Sequence, residues 1–524
     1  MSGGTLQSAS PITHRKENTM SVSRRSLGAI AIAVSALLTL GACAPTGSDD
    51  VPLAEEQHLR VGLTSLPINL DVLQNSAESK IIGPMQHVME PLVKRDGETF
   101  TPWLAESWDN PDDLTWVFTI RPDVTFSDGT ALTAEDARAS LRRLIDTESP
   151  LAPLLAAVES IEATDDSTLT ITTKTPLGTL LTTLSQILIG QGAVIDEESY
   201  WAAPVGTGPF VIDEFVADQR FALSKNPDYW GPETTLDNIT YIGMPEEAAR
   251  ISALSTGEVD IIDTVNADSI AEIESLDGVV FESVPSYAIQ YIWFNSSREP
   301  YTDVRVRQAL WHALDLESII GDLYGEHASV AQAPVPQAVF GAAELEPYEY
   351  DPELAKKLLA DAGYPDGFST SVQFSSATGV PPFVQTVISY WAEIGVTVEP
   401  LPKEQAIWLE DLLALNWDMN SQSPSVTSGD ADYHLGRLYV SSANRLGYAN
   451  PEYDALVTKA RESVDQQERI ALYAEASKIL WEDAPAIWAA DQTANVAYRD
   501  NLENVKIDPG ARNDYSGVVI RAKS

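Results

Sequence analysis

The sequence predicts a large α/β protein with two or three domains. Residues 59–63 (LRVGL) and 169–173 (LTITT) show the alternation of apolar and polar side chains that is typical of half-buried strands. Between such strands lie helices with clear boundaries, such as the one after Asp351, which has a proline at its first position and Gly363 just past its end. A chain of 524 residues with 44% hydrophobic residues can build more than one core.

Residues 1–43 read as an export signal. Arg24 and Arg25 precede an apolar run over residues 27–40, which is too short to span a bilayer. The run ends in LGAC at Cys43, a motif that resembles a bacterial lipobox and implies that Cys43 is lipidated. The segment 44–58 is predicted to be a linker. Residues 23–27 (SRRSL) leave general secretion and twin-arginine export both open, and Met1 and Met20 are alternative starts.

The charge balance is strongly acidic, with 77 acidic against 33 basic residues. Such a surface repels nucleic acid, so no nucleic-acid partner is predicted. It suits solubility at high salt, and it also suits the steering of cationic ligands. Because Cys43 is the only cysteine, no disulfide can form within the chain.

The first half of the chain alternates further strands and helices. After the strand at 59–63, a helix is predicted over 79–93, followed by a turn at 94–97. Residues 115–121 (TWVFTIR) predict another strand. Thr133 and Asp136 form an approximate capping box that begins a helix.

Three turn-rich pieces follow: 204–210 (PVGTGPF), 225–231 (KNPDYWG) and 255–260 (STGEVD). Two glycines and two prolines within the first piece exclude a helix and indicate a loop that leads into a hairpin. Gly257 suits the left-handed position that ends a helix.

The second half repeats the strand and helix pattern. The predicted elements are a strand at 286–295, helices at 304–314 and from Asp315, a helix at 351–363, a strand–helix–strand unit at 371–375, 382–391 and 395–399, a helix ending at Trp481, and a strand at 486–490.

The ordered motif pieces resemble the family 5 extracellular solute-binding proteins of ABC importers, which bind dipeptides, oligopeptides or nickel. Besides the three turn-rich pieces, the resemblance rests on WLAESW at 103–108, FSDGT at 126–130, DVRVRQAL at 303–310 and AKKLLADAGY at 355–364. It covers residues 59–490. It implies a two-lobed periplasmic-binding-protein-like fold of type II, with an inserted domain and with hinge strands joining the lobes.

By this resemblance, lobe one comprises residues 59–97, 205–286 and 492–524, the inserted domain 98–204, and lobe two 287–491. The implied function is that of an extracytoplasmic receptor that encloses a di- or oligopeptide between its lobes and delivers it to a membrane permease. The implied partners are the ligand, the permease and, indirectly, its ATPase. The protein is expected to be a monomer anchored by lipid at the cell surface or in the periplasm. A sugar, metal chelate or modified peptide is the alternative cargo.

The sequence predicts no catalytic residues, cofactor or metal site. It lacks a Gly-x-Ser-x-Gly elbow, a His-Glu-x-x-His pair and a phosphate-binding Gly-x-x-x-x-Gly-Lys loop. Its six histidines are scattered without metal-ligand spacing. A secreted hydrolase that uses paired carboxylates is the competing class.

Ligand-binding residues are expected in strand ends and loops that face the cleft. The candidates are Asn69, Ser76, Tyr287, Gln290, Trp408, Ser423, Thr427, Asp430 and Asp432. In peptide-binding relatives, a carboxylate after the strand at Trp417-Asp418 pairs with the ligand's ammonium group. An ungapped comparison places Thr427 there, so Asp430 or Asp432 is expected to bind a cationic group instead. His434 offers weak support for nickel.

The anchoring prediction has a direct test. Cys43→Ser removes the acylation site and should move the protein from the membrane fraction to the soluble fraction, because a protein without its acyl chains loses its hydrophobic anchor. Fractionation and immunoblotting of cells that express each form would measure this. Ser26→Ala, in the same leader, is the matched control and should stay with the membrane. Retention of the Cys43→Ser protein would contradict lipidation at this residue.

Overall fold

A computed structural model describes residues 51–75, 79–97, 99–376, 380–423 and 428–523. The export signal, Cys43 and residues 44–50 of the linker lie outside the described residues. Residues 51–524 form one compact unit. Within the described ranges, no helix is long and apolar enough to cross a membrane.

The elements of the first half follow in chain order. Residues 51–102 form β1 (His58–Leu63), α1 (Ser79–Met85), β2 (Glu90–Pro91), β3 (Val93–Asp96) and β4 (Thr99–Pro102). Residues 103–203 form β5 (Ala105–Asp112), β6 (Thr115–Ile120), α2 (Ala134–Asp146), β7 (Val158–Asp165), β8 (Thr168–Thr173), α3 (Leu180–Leu184) and β9 (Leu188–Ile189). Residues 204–294 form β10 (Phe210–Val216), β11 (Arg220–Lys225), β12 (Asn238–Gly243), α4 (Glu247–Thr256), β13 (Ile261–Asp263), α5 (Ile270–Glu274) and β14 (Val279–Phe294).

The elements of the second half are α6 (Val304–His312), α7 (Leu316–Tyr324), β15 (Ala328–Val330), α8 (Pro352–Asp361), β16 (Ser369–Ser375), α9 (Pro382–Glu393), β17 (Thr397–Lys403), α10 (Gln405–Leu413), β18 (Met419–Gln422), α11 (Ala431–His434), α12 (Pro451–Glu462), α13 (Gln466–Asp483), β19 (Ala486–Arg499), β20 (Leu502–Glu503) and β21 (Val519–Ile520). Single 3₁₀ turns occur at Ala152–Leu155, Tyr200–Ala202, Ala267–Ser269, Gly325–His327 and Ser441–Ala443, and a π turn at Leu435–Tyr439.

One sheet runs through both lobes. Its strand order is β10-β11-β12-β1-β13-β19-β14-β18-β16-β17, with β15 paired to β19. β14 and β19 are antiparallel and pair from Val279 with Arg499 to Trp293 with Ala486. One end of this pair contacts β13 of lobe one and the other contacts β18 and β15 of lobe two. These two strands are therefore the hinge strands of a two-lobed fold.

The inserted segment forms its own antiparallel sheet, β5-β6-β8-β7. Its buried side chains, among them Phe118, Leu141 and Ile171, belong to the same apolar core as Leu59 and Val61 of β1. The core of lobe two is separate and lies between Ile289 and Ala490. The exact boundaries of the three parts remain a prediction.

The predicted helix over 79–93 is wrong in its length. The helix α1 ends at Met85, and the chain then turns into the short strands β2 and β3. Pro84 lies within the helix and has no backbone N–H to donate, which favours its early end. The turn predicted at 94–97 is confined to Gly97, whose φ of 58° joins β3 to β4.

The predicted helix caps are confirmed. The Asp303, Asp315 and Asp351 side chains each accept a hydrogen bond from the first turn of the following helix. Gly257 ends α4 with a φ of 79°, in the left-handed region that favours glycine.

Two of the three turn-rich pieces, 204–210 and 225–231, meet the 103–108 motif at one buried carboxylate, Glu90. Its two oxygens accept hydrogen bonds from Trp103 Nε1 (2.7 Å), Tyr229 Oη (2.8 Å), Thr207 Oγ1 (2.9 Å) and Trp230 Nε1 (2.9 Å). Burial raises the pKa of Glu90, and the charge of Lys94 and the hydrogen bonds from Trp230, Tyr229 and Trp103 oppose that change. These motif pieces therefore hold the inserted segment, β2 and the loop before β10 together.

Residues 204–210 pack directly against the backbone of 87–88. Gly208 N donates to Val88 O at 2.8 Å, and Phe210 N donates to His87 O at 2.9 Å. A Cβ atom on Gly206 would lie 1.9 Å from Val88 O. This approach is open only to glycine.

We therefore expect Gly206→Ala to lower the free energy of unfolding by about 2–3 kcal/mol, because the new methyl group must displace backbone. Gly321→Ala is the matched control, since a Cβ atom added at that position would have nothing within 4 Å of it. It sits in α7, where alanine is favoured over glycine by about 0.5–1 kcal/mol. Urea unfolding of both variants measures the difference. Equal midpoints for the two would contradict the close approach.

Candidate ligand-binding site

A cleft lies between the lobes, beside the hinge strands, and consists of three adjoining cavities of about 300, 150 and 460 Å³. The first two share Asp263 and Thr264, and the first and third share Tyr324 and Ser423. Such volumes suit a small ligand.

The strands of both lobes end at this cleft. Leu63 ends β1 and residues 64–65 follow it, and Asp263 ends the parallel strand β13. From lobe two, Ser375 ends β16, and Gln422 ends the parallel strand β18. The carboxyl ends of parallel strands are the usual place for a ligand in α/β sheets.

The hinge strands also form part of the cleft wall. The pairing of β14 with β19 is interrupted between Pro285 and Ile289. There Ser286 Oγ donates to Gln492 O at 2.8 Å, and Tyr287 N donates to Pro509 O at 3.1 Å. The interruption places Ser286 and Ala288 in the cavity wall.

Two predicted site residues line the cleft. Gln290 Nε2 donates to Ser421 Oγ at 3.3 Å and to Gln422 O at 3.2 Å. Ser423 Oγ donates to Gln492 Oε1 at 2.7 Å, so it joins lobe two to the second hinge strand. Both therefore place polar side chains in the cavity wall.

Three predicted site residues do not line these cavities. Trp408 is buried in the core of lobe two, where its Nε1 donates to Asn420 Oδ1 at 2.8 Å. Asn69 is exposed, and its Oδ1 accepts from Asp71 N within its own turn. Tyr287 is half-buried and packs against Gly429.

Asp430 and Asp432 both have arginine partners. Asp430 is 2% exposed, and Arg469 Nη2 donates to its two oxygens at 2.8 and 3.0 Å. Arg461 Nε lies 3.1 Å from both oxygens of Asp432. The expectation that one of them binds a cationic ligand group stays a prediction, and each carboxylate already has a partner for that charge.

Ser76 and Thr427 lie outside the described residues. His434 is buried, and within the described part of the chain neither of its ring nitrogens has a hydrogen-bond partner. Burial lowers its pKa to about 4. Among the described residues, no group of three His, Cys, Asp or Glu side chains is placed to hold a metal ion.

Sequence reasoning missed Asp263. This residue is half-buried at the end of β13, and it lines two of the three cavities. Burial raises its pKa to about 6, against the opposing charge of Arg250. The next residue, Thr264, has a φ of 55°, which is costly for a β-branched side chain and is typical of functional sites. A strand that ends in an acidic residue was the only signal in the sequence.

The fold and cleft define a two-lobed solute-binding protein of the periplasmic type. The model of the bacterial extracellular solute-binding proteins, family 5, matches residues 99–445. The protein belongs to this family, whose members are extracytoplasmic and bind solutes for import by ABC permeases.

Several relatives are similar over most of their length. Heme-binding protein A of Haemophilus influenzae is 29% identical over 479 residues, which cover 84% of this chain and 88% of that protein. Glutathione-binding protein GsiB of Pectobacterium atrosepticum is 28% identical, covering 78% and 83%. The structure of the periplasmic binding protein DppA of Helicobacter pylori in complex with the peptide STSA is 25% identical, covers 89% of this chain and 98% of that one, and has a TM-score of 0.78.

The structural role of Asp430 can be measured. Asp430→Asn removes the charge that Arg469 faces, so the free energy of unfolding should fall by about 3–5 kcal/mol. Asp361→Asn is the matched control because its ion pair with Lys357 is exposed to solvent, so its loss should change the stability little. Denaturant unfolding reports both values. An Asp430→Asn protein of unchanged stability and reduced ligand affinity would instead favour the role in ligand binding.

Proposed function

We propose that this receptor captures a di- or oligopeptide and binds its free ammonium group at Asp263. The observation that carries the proposal is the half-buried Asp263 carboxylate at the cleft. A desolvated carboxylate gains most from a cation that replaces its lost water. The DppA structure with a bound peptide supports the same class of cargo.

The charges around the cleft favour a cationic group. The cavities are lined by Glu247, Asp263, Asp268 and Asp508, and the basic side chains among the described lining residues are Lys80 and His327. The names of two relatives suggest haem and glutathione as other cargoes. Haem carries two carboxylates and no ammonium group, so the excess of acid at the cleft disfavours it.

Binding without chemistry is part of the proposal. The ligand stabilises the closed arrangement by touching both lobes, and the permease then receives it. Peptide should therefore be recovered intact from the complex, with one molecule bound per protein. The protein acts as a monomer held at the membrane through Cys43.

Calorimetry of the native chain with di-, tri- and pentapeptides, oligosaccharides, metal chelates, haem and glutathione tests the cargo class. For the peptide that binds, its N-acetylated form should bind about tenfold to a hundredfold more weakly, because a charged hydrogen bond is lost. Tight binding of a sugar, chelate or haem but no peptide would overturn the peptide assignment. Product formation would overturn the assignment as a receptor.

Asp263→Asn should weaken the binding of the same peptide by a similar factor. Asp196→Asn, which changes an exposed residue outside the cleft lining, should leave the affinity unchanged.

The affinity should also depend on pH. Asp263 has a raised pKa of about 6, so its carboxylate is ionised above that value and is protonated below it. Affinity should therefore fall by up to about tenfold per pH unit below pH 6. A flat profile, or an Asp263→Asn protein with native affinity, would place the ammonium elsewhere.

A further inference from the structure

A cavity outside the cleft, here called the seam cavity, lies between the inserted domain and lobe two. Its volume is about 420 Å³, and it shares no lining residue with the three cavities of the cleft. One wall is apolar and includes Pro150, Pro153, Leu154, Pro176 and Leu177 of the inserted domain. The facing wall carries Arg437, Arg445 and Arg461 of lobe two.

The two sides of the seam cavity are in direct contact. Gly178 N donates to Arg461 O at 2.8 Å, and a Cβ atom on Gly178 would lie 1.7 Å from Ser463 O. Thr182 Oγ1 donates to Asp430 Oδ2 at 3.2 Å. These contacts fix the apolar wall and the arginine wall at one separation.

The arginines differ in their partners. Arg461 is paired with Asp432 and also donates to Gly436 O. Arg437 Nη1 donates to Tyr433 Oη at 2.8 Å, and its guanidinium lies 4.8 Å from the centre of that ring. Neither contact neutralises the charge of Arg437.

Arg445 has fewer partners than the other two arginines. It is half-buried, and among the described residues no carboxylate forms an ion pair or hydrogen bond with it. Burial lowers its pKa, and the like charge of Arg437 adds to this effect. Glu462 is the one acid of the lining besides the paired Asp432. The chain has 77 acidic residues, and yet these two neighbouring guanidinium groups have no carboxylate partner among the described residues. Their unpaired charge favours an anionic ligand.

We propose that the seam cavity binds a small amphipathic organic anion. Its acidic group lies between Arg437 and Arg445, and its apolar body packs against the prolines and leucines of the inserted domain. An apolar cavity with a few convergent polar groups is the usual form of a small-molecule site. Guanidinium groups suit such an anion because they present paired N–H donors to its oxygens.

The location gives this ligand an effect on the lobes. It touches the inserted domain on one side and lobe two on the other, so it favours the arrangement in which they meet. Cargo in the cleft favours the same arrangement. Binding at the seam cavity should therefore raise the affinity for cargo, and cargo should raise the affinity for the anion by the same factor.

Calorimetry of the native chain with octanoate tests the proposal, and octylamine and inorganic phosphate are the comparison ligands. Octanoate should bind with one site per protein. Octylamine and phosphate should bind much more weakly, since octylamine lacks the acidic group and phosphate lacks the apolar body. Arg445→Gln and Arg437→Gln should each weaken octanoate by about tenfold or more, because each loses charged hydrogen bonds. Arg445→Lys, which keeps the charge, should lose less. Arg142→Gln, on the exposed face of α2, is the matched control and should bind as the native chain does.

The Asp263→Asn variant distinguishes octanoate binding at the seam cavity from octanoate binding in the cleft. It should leave octanoate binding unchanged, and the arginine variants should leave the contacts of cargo with the cleft intact. Absence of octanoate binding, equal binding of octylamine, or native affinity in both arginine variants that remain folded by circular dichroism would overturn the proposal. Phosphate that binds as tightly as octanoate would overturn the amphipathic class. Loss of octanoate binding in Asp263→Asn would assign it to the cleft and overturn the seam cavity as its site.

Discussion

The antiparallel pair of β14 and β19 is the constraint on which the rest of this structure depends. It carries the sheet from lobe one into lobe two, so the two lobes are halves of one hydrogen-bonded surface. The pair is regular at both ends, where each lobe needs a fixed edge, and irregular in the middle. That irregularity places Ser286 and Ala288 in the cavity wall, so one break in the strand pairing supplies part of the cleft.

Buried carboxylates and their ion-pair or hydrogen-bond partners stabilise the parts of the chain on either side of this hinge. Arg60 Nη2 lies 2.7 Å from Asp260, Arg143 Nη2 lies 2.5 Å from Asp71, and Arg469 pairs with Asp430. Glu90 instead uses aromatic N–H and hydroxyl donors. Several arginines are thus paired with internal acids. Asp263 at the cleft and Arg437 and Arg445 at the seam cavity differ from these pairs, because among the described residues no ion pair joins any of them to an opposite charge.

Most of the fold could be predicted because its signals are local. Alternating apolar residues identified β1, β6 and β8, and an aspartate followed by a helical pattern located α6, α7 and α8. The error at α1 is also local in origin, since the periodicity of 79–93 favours a helix and the proline at position 84 with the buried turn after it prevails. The length of the hinge strands was underestimated because only their lobe-two parts, 286–294 of β14 and 486–490 of β19, have an obvious strand pattern.

The candidate site was much harder to predict, because a cleft joins residues that are far apart in sequence. Gln290 and Ser423 could be placed there from the resemblance. Asp263 could not, because its significance comes from its burial beside the residues after β1 and the hinge. The surroundings of Asp430 could not be predicted for a related reason: its partner Arg469 lies thirty-nine residues away, and no sequence pattern identifies that pair.

The ends of the folded part have a mechanical consequence. Leu53 pairs with Arg521, and Ala54 N donates to Ile520 O at 2.9 Å, so the entering chain is fastened beside the departing one on lobe one. Any tether upstream of residue 51 therefore holds lobe one. Lobe two lies beyond the hinge strands from such a tether, so any movement at the hinge would change the position of lobe two relative to the membrane more than that of lobe one.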